Sequence, residues 1–136
     1  MKIEDMDMAR QRILIVEDSL TVRQLLVFAL QRIRDLEIVE AQDGMDGLRQ
    51  IVSDDFDLAF IDINMPGMGG VDGLTLISLI RGVEGLTSMP ICVITTEAAH
   101  DEQVRAIALG ANESLTIPIQ ANKVLAVAKR QMKLDV

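Results

Sequence analysis

Acidic and hydroxyl side chains follow directly after short apolar runs in this sequence. Glu17 and Asp18 come after the first run, Asp62 closes the third, and Thr95 follows the fourth. Carboxylates gathered about 5 Å apart repel by roughly 3 kcal/mol per pair at an effective dielectric of about 20. A proton on one acid could offset this repulsion, but an oxygen-liganded Mg²⁺ does so better and keeps water molecules for further chemistry. These residues therefore predict a cation-binding pocket if the fold brings them together, and separate solvated loop acids if it does not.

Five short runs rich in Ile, Val and Leu define the elements that would position these side chains. The runs are 13–16, 36–39, 58–61, 91–94 and 114–117. Most of them are continuously apolar, as expected of strands that are covered on both faces of a parallel sheet. In such open sheets, ligands bind beyond the carboxyl ends of the strands, where the strand order reverses. The polar residues after these runs are therefore expected at one edge of a sheet.

Helical spacing of apolar residues fills the intervals between the runs. The predicted stripes are Val22, Leu25, Leu26, Ala29, Leu30 and Ile33; Met45, Leu48, Ile51 and Val52; Leu76, Leu79, Ile80 and Val83; Val104, Ile107 and Ala108; Val124, Val127 and Ala128. Asp72 is a candidate N-cap of the third helix, and Gly110 is expected to end the fourth. The pattern predicts a (βα)5 domain of the α/β class, with right-handed crossovers and a doubly wound parallel sheet. Residues 1–11 are expected to form a flexible lead-in to a single domain over 12–136.

Composition limits the classes of function. The net charge is −8 and the pI is near 4.5, so the chain has no basic stripe to neutralise nucleic-acid phosphates. Its longest apolar run, 25–30, is far too short to span a membrane. The acidic N-terminus lacks the apolar core of an export signal, so a cytoplasmic protein is expected. The single cysteine, Cys92, lies in an apolar run and is predicted to be buried and inert.

The usual nucleotide and hydrolase motifs are missing. There is no G-x-x-x-x-G-K-[ST] loop and no G-x-G-x-x-G after the first strand. The glycines at 67, 69, 70 and 73 lack a following Lys-Ser/Thr and indicate a flexible loop instead. The single histidine, His100, is predicted to lie exposed at the start of the fourth helix, where it does not complete a catalytic triad.

Four motifs, in order and with consistent gaps, make the sequence from about Arg12 to Met132 resemble a response-regulator receiver domain of the chemotaxis type (CheY-like). They are ILIVEDS at 13–19, IDINMPGM at 61–68, VITTEA at 93–98 and GANESLTIP at 110–118. This resemblance implies a flavodoxin-like sheet with the strand order 2-1-3-4-5.

The resemblance also implies a role for each matching residue. Asp62 corresponds to the phosphoacceptor, which takes a phosphoryl group from a phosphohistidine. Asp18, Asp62 and the backbone carbonyl of Asn64 correspond to Mg²⁺ (or Mn²⁺) ligands, and Glu17 stands where the family usually has Asp. The remaining matches are Thr95, with Thr96 beside it, at the phosphoryl-binding switch position, and Asn64 and Glu97 at the two positions that tune hydrolysis.

Three features depart from the family pattern. Ile117 stands where a lysine would bind the phosphoryl oxygens, and Lys123 is only a weak candidate to replace it. Ser114 stands where an aromatic ring usually rotates on activation. The loop after the third strand is longer than usual near Gly69, Gly70 and Val71, which is either a tolerated surface insertion or a mobile flap, because glycine lowers the barrier to rearrangement. By resemblance, the bond between Ile117 and Pro118 is predicted to be cis, which X-Pro bonds tolerate.

The sequence therefore predicts a two-component signalling receiver, not an enzyme that turns over external substrates. A sensor histidine kinase or phosphotransfer protein would phosphorylate Asp62 with Mg²⁺, and output would be contact with a downstream protein, without binding to nucleic acid or membrane. The fourth helix, fifth strand and fifth helix form the family's usual contact surface. The alternative is a pseudo-receiver that binds proteins without phosphorylation, which Ile117 and Ser114 favour.

Overall fold

The computed structural model describes residues 10–65 and 70–134. Five strands alternate with five helices along this part of the chain. The strands are β1 (Gln11–Val16), β2 (Leu36–Ala41), β3 (Leu58–Asp62), β4 (Ile91–Thr95) and β5 (Glu113–Thr116). The helices are α1 (Leu20–Leu30), α2 (Gly44–Ser53), α3 (Gly73–Arg81), α4 (His100–Leu109) and α5 (Ala121–Met132), and a 3-10 turn, Glu97–Ala99, precedes α4.

The strands form one parallel sheet in the order β2-β1-β3-β4-β5. This confirms the predicted (βα)5 flavodoxin-like architecture. The bounds of every strand differ from the predicted run by one or two residues: β1 begins two residues earlier, at Gln11, and β2, β3 and β4 extend to Ala41, Asp62 and Thr95. The last strand, β5, is shifted by one residue, to Glu113–Thr116. Residues 1–9 lie outside the described residues.

Alternate side chains of the strands enter two apolar layers. Leu14 and Val16 face the layer that includes Leu76 and Ile80 of α3. Ile13 and Ile15 face the other layer, which is built with residues of α1 and α5. Because β1, β3 and β4 are almost entirely buried, their continuously apolar sequences are explained by cover on both faces.

Short polar contacts fix where the helices begin and end. Ser19 and Asp72 accept hydrogen bonds from the N–H groups of Val22 (3.3 Å) and Thr75 (2.8 Å), so both act as N-caps. Gly110 ends α4 with a φ of 121°, a value that glycine adopts readily. The predicted cap at Asp72 and the predicted stop at Gly110 are both confirmed.

The predicted apolar stripes of the helices include several residues that are exposed in the structure. Val104 and Ile107 are 53% and 45% exposed, and Ala106 is the residue of α4 that is buried against the core. A small alanine at this contact leaves its larger neighbours on the flank of the helix. The other predicted inward residues that are exposed are Leu25, Val52, Leu79, Val83 and Ala108. Ile33 is buried, but it lies beyond the end of α1 at Leu30.

Within residues 10–65 and 70–134, none of the helices has the length and apolar character needed to span a bilayer.

Candidate functional site

Three carboxylates meet at the carboxyl edge of the sheet. Glu17, Asp18 and Asp62 each present an oxygen, and these oxygens lie within 4.8 Å of one another. Glu17 is 1% and Asp62 is 5% exposed, whereas Asp18 is open to solvent. The predicted convergence of the three acids is confirmed, and the alternative of separate solvated loop acids is excluded.

The register of the sheet brings the acids together. Val16 pairs with Ile61 in the parallel ladder between β1 and β3. Glu17 follows Val16 directly after the end of β1, and Asp62 follows Ile61 as the last residue of β3. The two acids therefore lie at the same level. The N–H of Glu17 also donates to the carbonyl of Ala41 (3.0 Å), which ties this end of β1 to β2.

Glu17 has an incomplete set of partners. Its Oε2 accepts the N–H of Ser19 (3.0 Å), but its buried Oε1 has no hydrogen-bond partner in the described part of the chain. Burial, followed by the proximity of Asp62, raises the pKa of Glu17 to about 9. A buried acceptor that lacks a donor needs either a proton or a cation, because leaving it unpaired is costly. The carboxylate set with this orphaned oxygen therefore suits a hard cation such as Mg²⁺.

The Asp62 carboxylate is held by a backbone N–H of the loop that follows β3. The N–H of Asn64 donates to Asp62 Oδ1 at 2.8 Å, and this bond favours the ionised carboxylate. Burial is the larger influence and raises the pKa of Asp62. Asp62 is thus oriented by the backbone and placed where its charge needs compensation.

Asn64 also reaches across to the loop after β4. Its Oδ1 accepts the N–H of Thr96 (3.2 Å), while the buried hydroxyl of Thr95 donates to the Thr96 carbonyl (3.3 Å). Glu97 is exposed in the 3-10 turn that follows. Of the two predicted switch residues, Thr96 therefore contacts Asn64, and the Thr95 hydroxyl is bonded to Thr96. The contact between Asn64 and Thr96 was missed in the sequence because it joins two separate loops.

The segment after β3 approaches its neighbours very closely. A Cβ on Gly44 would lie 1.9 Å from the carbonyl oxygen of Val71, and one on Gly73 would lie 2.3 Å from that of Asp62. Val71 is buried in the core, and the two interpretations of the longer loop near Gly69, Gly70 and Val71, a surface insertion or a mobile flap, stay predictions. Gly70 is exposed with a φ of 82°, and Gly69 lies outside the described residues.

The other two departures from the family pattern, Ser114 and Ile117, lie on β5 and directly after it. Ile117 is half-buried against the apolar layer of α1 and α5, and the Ile117–Pro118 bond is cis, as predicted. Ser114 accepts a 2.6 Å hydrogen bond from Gln103 of α4. Lys123 lines a groove with Ser114 and Arg130.

The single histidine is exposed and the single cysteine is buried, as predicted. His100 is exposed at the first position of α4. Cys92 is fully buried, and burial raises the pKa of its thiol well above the usual range. Neither residue contributes to the acidic site.

Arg23 makes a contact that was not predicted from the sequence. It donates to the backbone carbonyl of Glu17 at 2.8 Å. The sequence feature that could have indicated this contact is the position of Arg23 in the first helical turn after Glu17 and Asp18.

The fold and this edge define a flavodoxin-like α/β domain that carries a carboxylate site at its switch point. The chain belongs to the response regulator receiver domain family, which residues 13–129 match. It is 34% identical over 110 residues to the chemotaxis protein CheY of Pseudomonas aeruginosa, covering 81% of this chain and 86% of that protein.

Solved structures share the fold. The Vibrio cholerae chemotaxis protein CheY4 superposes with a TM-score of 0.79 at 29% identity, covering 90% of this chain and 98% of that one. The receiver domain of the Pseudomonas aeruginosa sensor histidine kinase PA1611, solved with magnesium in its active site cleft, superposes with a TM-score of 0.80 at 22% identity. That match covers 92% of this chain and 99% of the other.

Proposed function

We propose that this receiver domain accepts a phosphoryl group on Asp62 in a Mg²⁺-dependent reaction. The donor is a sensor histidine kinase or a phosphotransfer protein, and the phosphorylated domain signals through contact with another protein. The observation that carries the proposal is the buried pair of Glu17 and Asp62, in which Glu17 Oε1 finds no donor among residues 10–65 and 70–134. Such a pair suits a site that is completed by a divalent cation.

The proposed transfer uses the Asp62 carboxylate as the nucleophile. One of its oxygens attacks phosphorus, the phosphorus–nitrogen bond of the phosphohistidine breaks, and its electron pair returns to the imidazole. The N–H of Asn64 holds Oδ1 of the carboxylate during this step. Transfer through a loose transition state needs alignment and charge neutralisation rather than an added acid or base.

Glu17, Asp18, Asp62 and the carbonyl of Asn64 would hold the cation. Bound Mg²⁺ (or Mn²⁺) supplies positive charge that neutralises the phosphoryl oxygens. A solved receiver of the same fold contains magnesium in its cleft, which supports this cofactor. On the opposite side, the Thr95 hydroxyl would turn from the Thr96 carbonyl to the phosphoryl group, because its present bond of 3.3 Å is long. Asn64 and Glu97 flank this position and would adjust the hydrolysis of the acyl phosphate.

The output surface is proposed to include α4 and β5. Val104 and Ile107 are exposed on α4, and exposed apolar residues of this kind suit protein contact. The bond between Gln103 and Ser114 joins α4 to β5. Because Ser114 has no ring to rotate, a shift of α4 would be transmitted through this bond.

A pseudo-receiver is the second candidate. Ile117 places an apolar side chain against the core where the resemblance implies a lysine. A receiver without that charge could have kept only its protein-binding role. In that case Asp62 would be dispensable for partner binding.

Phosphorylation of purified protein by acetyl phosphate separates the two candidates. Wild type with Mg²⁺ is expected to gain one phosphoryl group by intact mass, and Asp62→Ala is expected to gain none. Asp101→Ala, which changes an exposed acid of α4, is the matched control and should behave as wild type. An equal response of wild type and Asp62→Ala, either with or without a phosphoryl adduct, would exclude the proposed phosphoacceptor role.

A further inference from the structure

The side chain of Arg23 joins the acidic turn to the neighbouring strand. It lies in the first turn of α1 and is only 11% exposed. Its Nη1 donates to the carbonyl oxygen of Glu17 at 2.8 Å, and its Nε donates to Glu40 Oε1 on β2 at 3.1 Å. Arg23 therefore bridges the carboxyl ends of β1 and β2.

The carbonyl that Arg23 binds belongs to the peptide group between two proposed cation ligands. Rotation of this peptide would swing both Glu17 and Asp18. Two further bonds stabilise the turn, since the N–H of Ser19 donates to Glu17 Oε2 (3.0 Å) and the N–H of Arg23 donates to the carbonyl of Ser19 (3.0 Å). The guanidinium completes this set from the side of β2.

The contact concerns geometry rather than charge compensation. Arg23 binds the backbone of Glu17, whereas the carboxylate of Glu17 takes the Ser19 amide. Its charge is directed toward Glu40, which is 44% exposed. A planar guanidinium can reach both oxygens at once because its donors are fixed in a fork.

We propose that Arg23 is a positioning residue for the cation site and sets the orientation of Glu17 and Asp18 through the Glu17 carbonyl. This inference rests on the proposed binding of a divalent cation by the acidic pocket. Groups that orient metal ligands in this way typically change metal affinity by about 10–100-fold when they are removed. Glu40 only holds the guanidinium in place at the surface.

Calorimetric titration with Mg²⁺ tests the inference on four forms of the full chain. Arg23→Met keeps the length of the apolar stem but removes both donors, and we expect it to weaken binding about 10-fold. Glu40→Gln removes the exposed ion pair and leaves the carbonyl contact, so we expect less than about a 2-fold change. Arg23→Lys keeps one donor that can reach the carbonyl, and it should recover most of the affinity. Arg23→Gln, which is too short to reach the carbonyl, gives the same expected loss as Arg23→Met and replaces it if that variant does not fold.

The outcomes separate this inference from the proposed function. If wild type binds Mg²⁺ and Arg23→Met or Arg23→Gln binds it equally well, the positioning role is wrong and the cation site stands. Equal losses in Glu40→Gln and the Arg23 variants would also overturn it, because the ion pair would then be the cause. If wild type itself does not bind Mg²⁺, the proposed cation site fails, and the role of Arg23 fails with it.

Discussion

The two sides of the sheet edge that carries the site are built differently. On the side of β1 and β3, buried acids are fixed by backbone donors, and the nearby glycines leave no space for a Cβ. On the side of β4 and β5, Ile117 is half-buried and Ser114 makes one side-chain hydrogen bond to Gln103. The acidic side carries the carboxylates that the proposed phosphoryl transfer uses, whereas Ile117 and Ser114 on the opposite side depart from the family pattern.

The two sides differ in whether the residues at the site are stable in their surroundings. Glu17 and Asp62 are buried with raised pKa values, so the fold retains them at a cost in stability. At Ile117 an apolar contact stands in place of the lysine that the resemblance implies. The requirements of cation binding would explain the first arrangement, and a changed output would explain the second.

The tightest contact of the acidic side should give the largest effect. Gly44→Ala places a Cβ against the backbone of Val71, and overpacking of this kind costs about 3 kcal/mol of unfolding free energy. Gly82→Ala is the matched control, since its Cβ would meet nothing closer than 3.6 Å. Urea unfolding should show the loss in the first variant only. Equal stability of the two variants would mean that the segment before α3 is not held against α2.

The pH dependence of stability tests the buried acid. The pKa of Glu17 is about 9 in the folded protein and 4.5 in the unfolded chain. Between these two pH values the folded protein therefore holds a proton that the unfolded chain releases. The stability from this proton is fully present below about pH 4.5 and is lost as the pH rises to about 9. We expect a fall of about 2 kcal/mol between about pH 6 and pH 8 in EDTA.

The control for this slope is Glu17→Gln, which cannot ionise. It should flatten the slope and unfold at higher urea than wild type near pH 8. An unchanged slope in Glu17→Gln would show that another group controls it.

A lysine at position 117 would restore the charge that the resemblance implies on the opposite side. Ile117→Lys places a cation after β5, and a charge-assisted hydrogen bond to the phosphoryl group would raise the ratio of phosphorylated to unmodified protein about 10-fold. The measurement is intact mass after incubation with acetyl phosphate. Ile117→Met keeps an apolar side chain of similar volume and should match wild type. If the Lys and Met variants respond alike, the missing charge does not limit phosphorylation.

The smallest effect is expected at Ser114. Ser114→Ala removes the acceptor of Gln103 and should cost about 1 kcal/mol of unfolding free energy. Gln103→Ala should cost about the same, and the double variant should cost less than the sum. Simple additivity in the urea midpoints would show that this bond does not couple α4 to β5.

The sequence was sufficient for the sheet and for the acidic side. Continuous apolar runs at 13–16, 58–61 and 91–94 predicted buried parallel strands, and parallel strands place their following residues at one edge. Glu17, Asp18 and Asp62 could therefore be grouped before any geometry was known. The cis bond before Pro118 followed from resemblance.

The remaining contacts depend on tertiary packing that periodicity does not encode. The stripe of α4 includes Val104 and Ile107, but the depth at which a helix sits is set by its contact residue, Ala106. The approach of Val71 to Gly44 and the contact of Arg23 with Glu17 each join segments whose distance is fixed only after folding. The approach of Val71 to Gly44 has no signature in local sequence, and the only signal for Arg23 was its position in the first helical turn after Glu17 and Asp18.

The proposed function depends above all on a cation bound by the acidic side, which allows Asp62 to take a phosphoryl group. The most direct measurement is the intact mass of wild-type protein after acetyl phosphate treatment, with Mg²⁺ in one sample and excess EDTA in the other. We expect a single phosphoryl adduct with Mg²⁺ and none in EDTA. An adduct of equal yield in both samples, or no adduct with Mg²⁺, would contradict it.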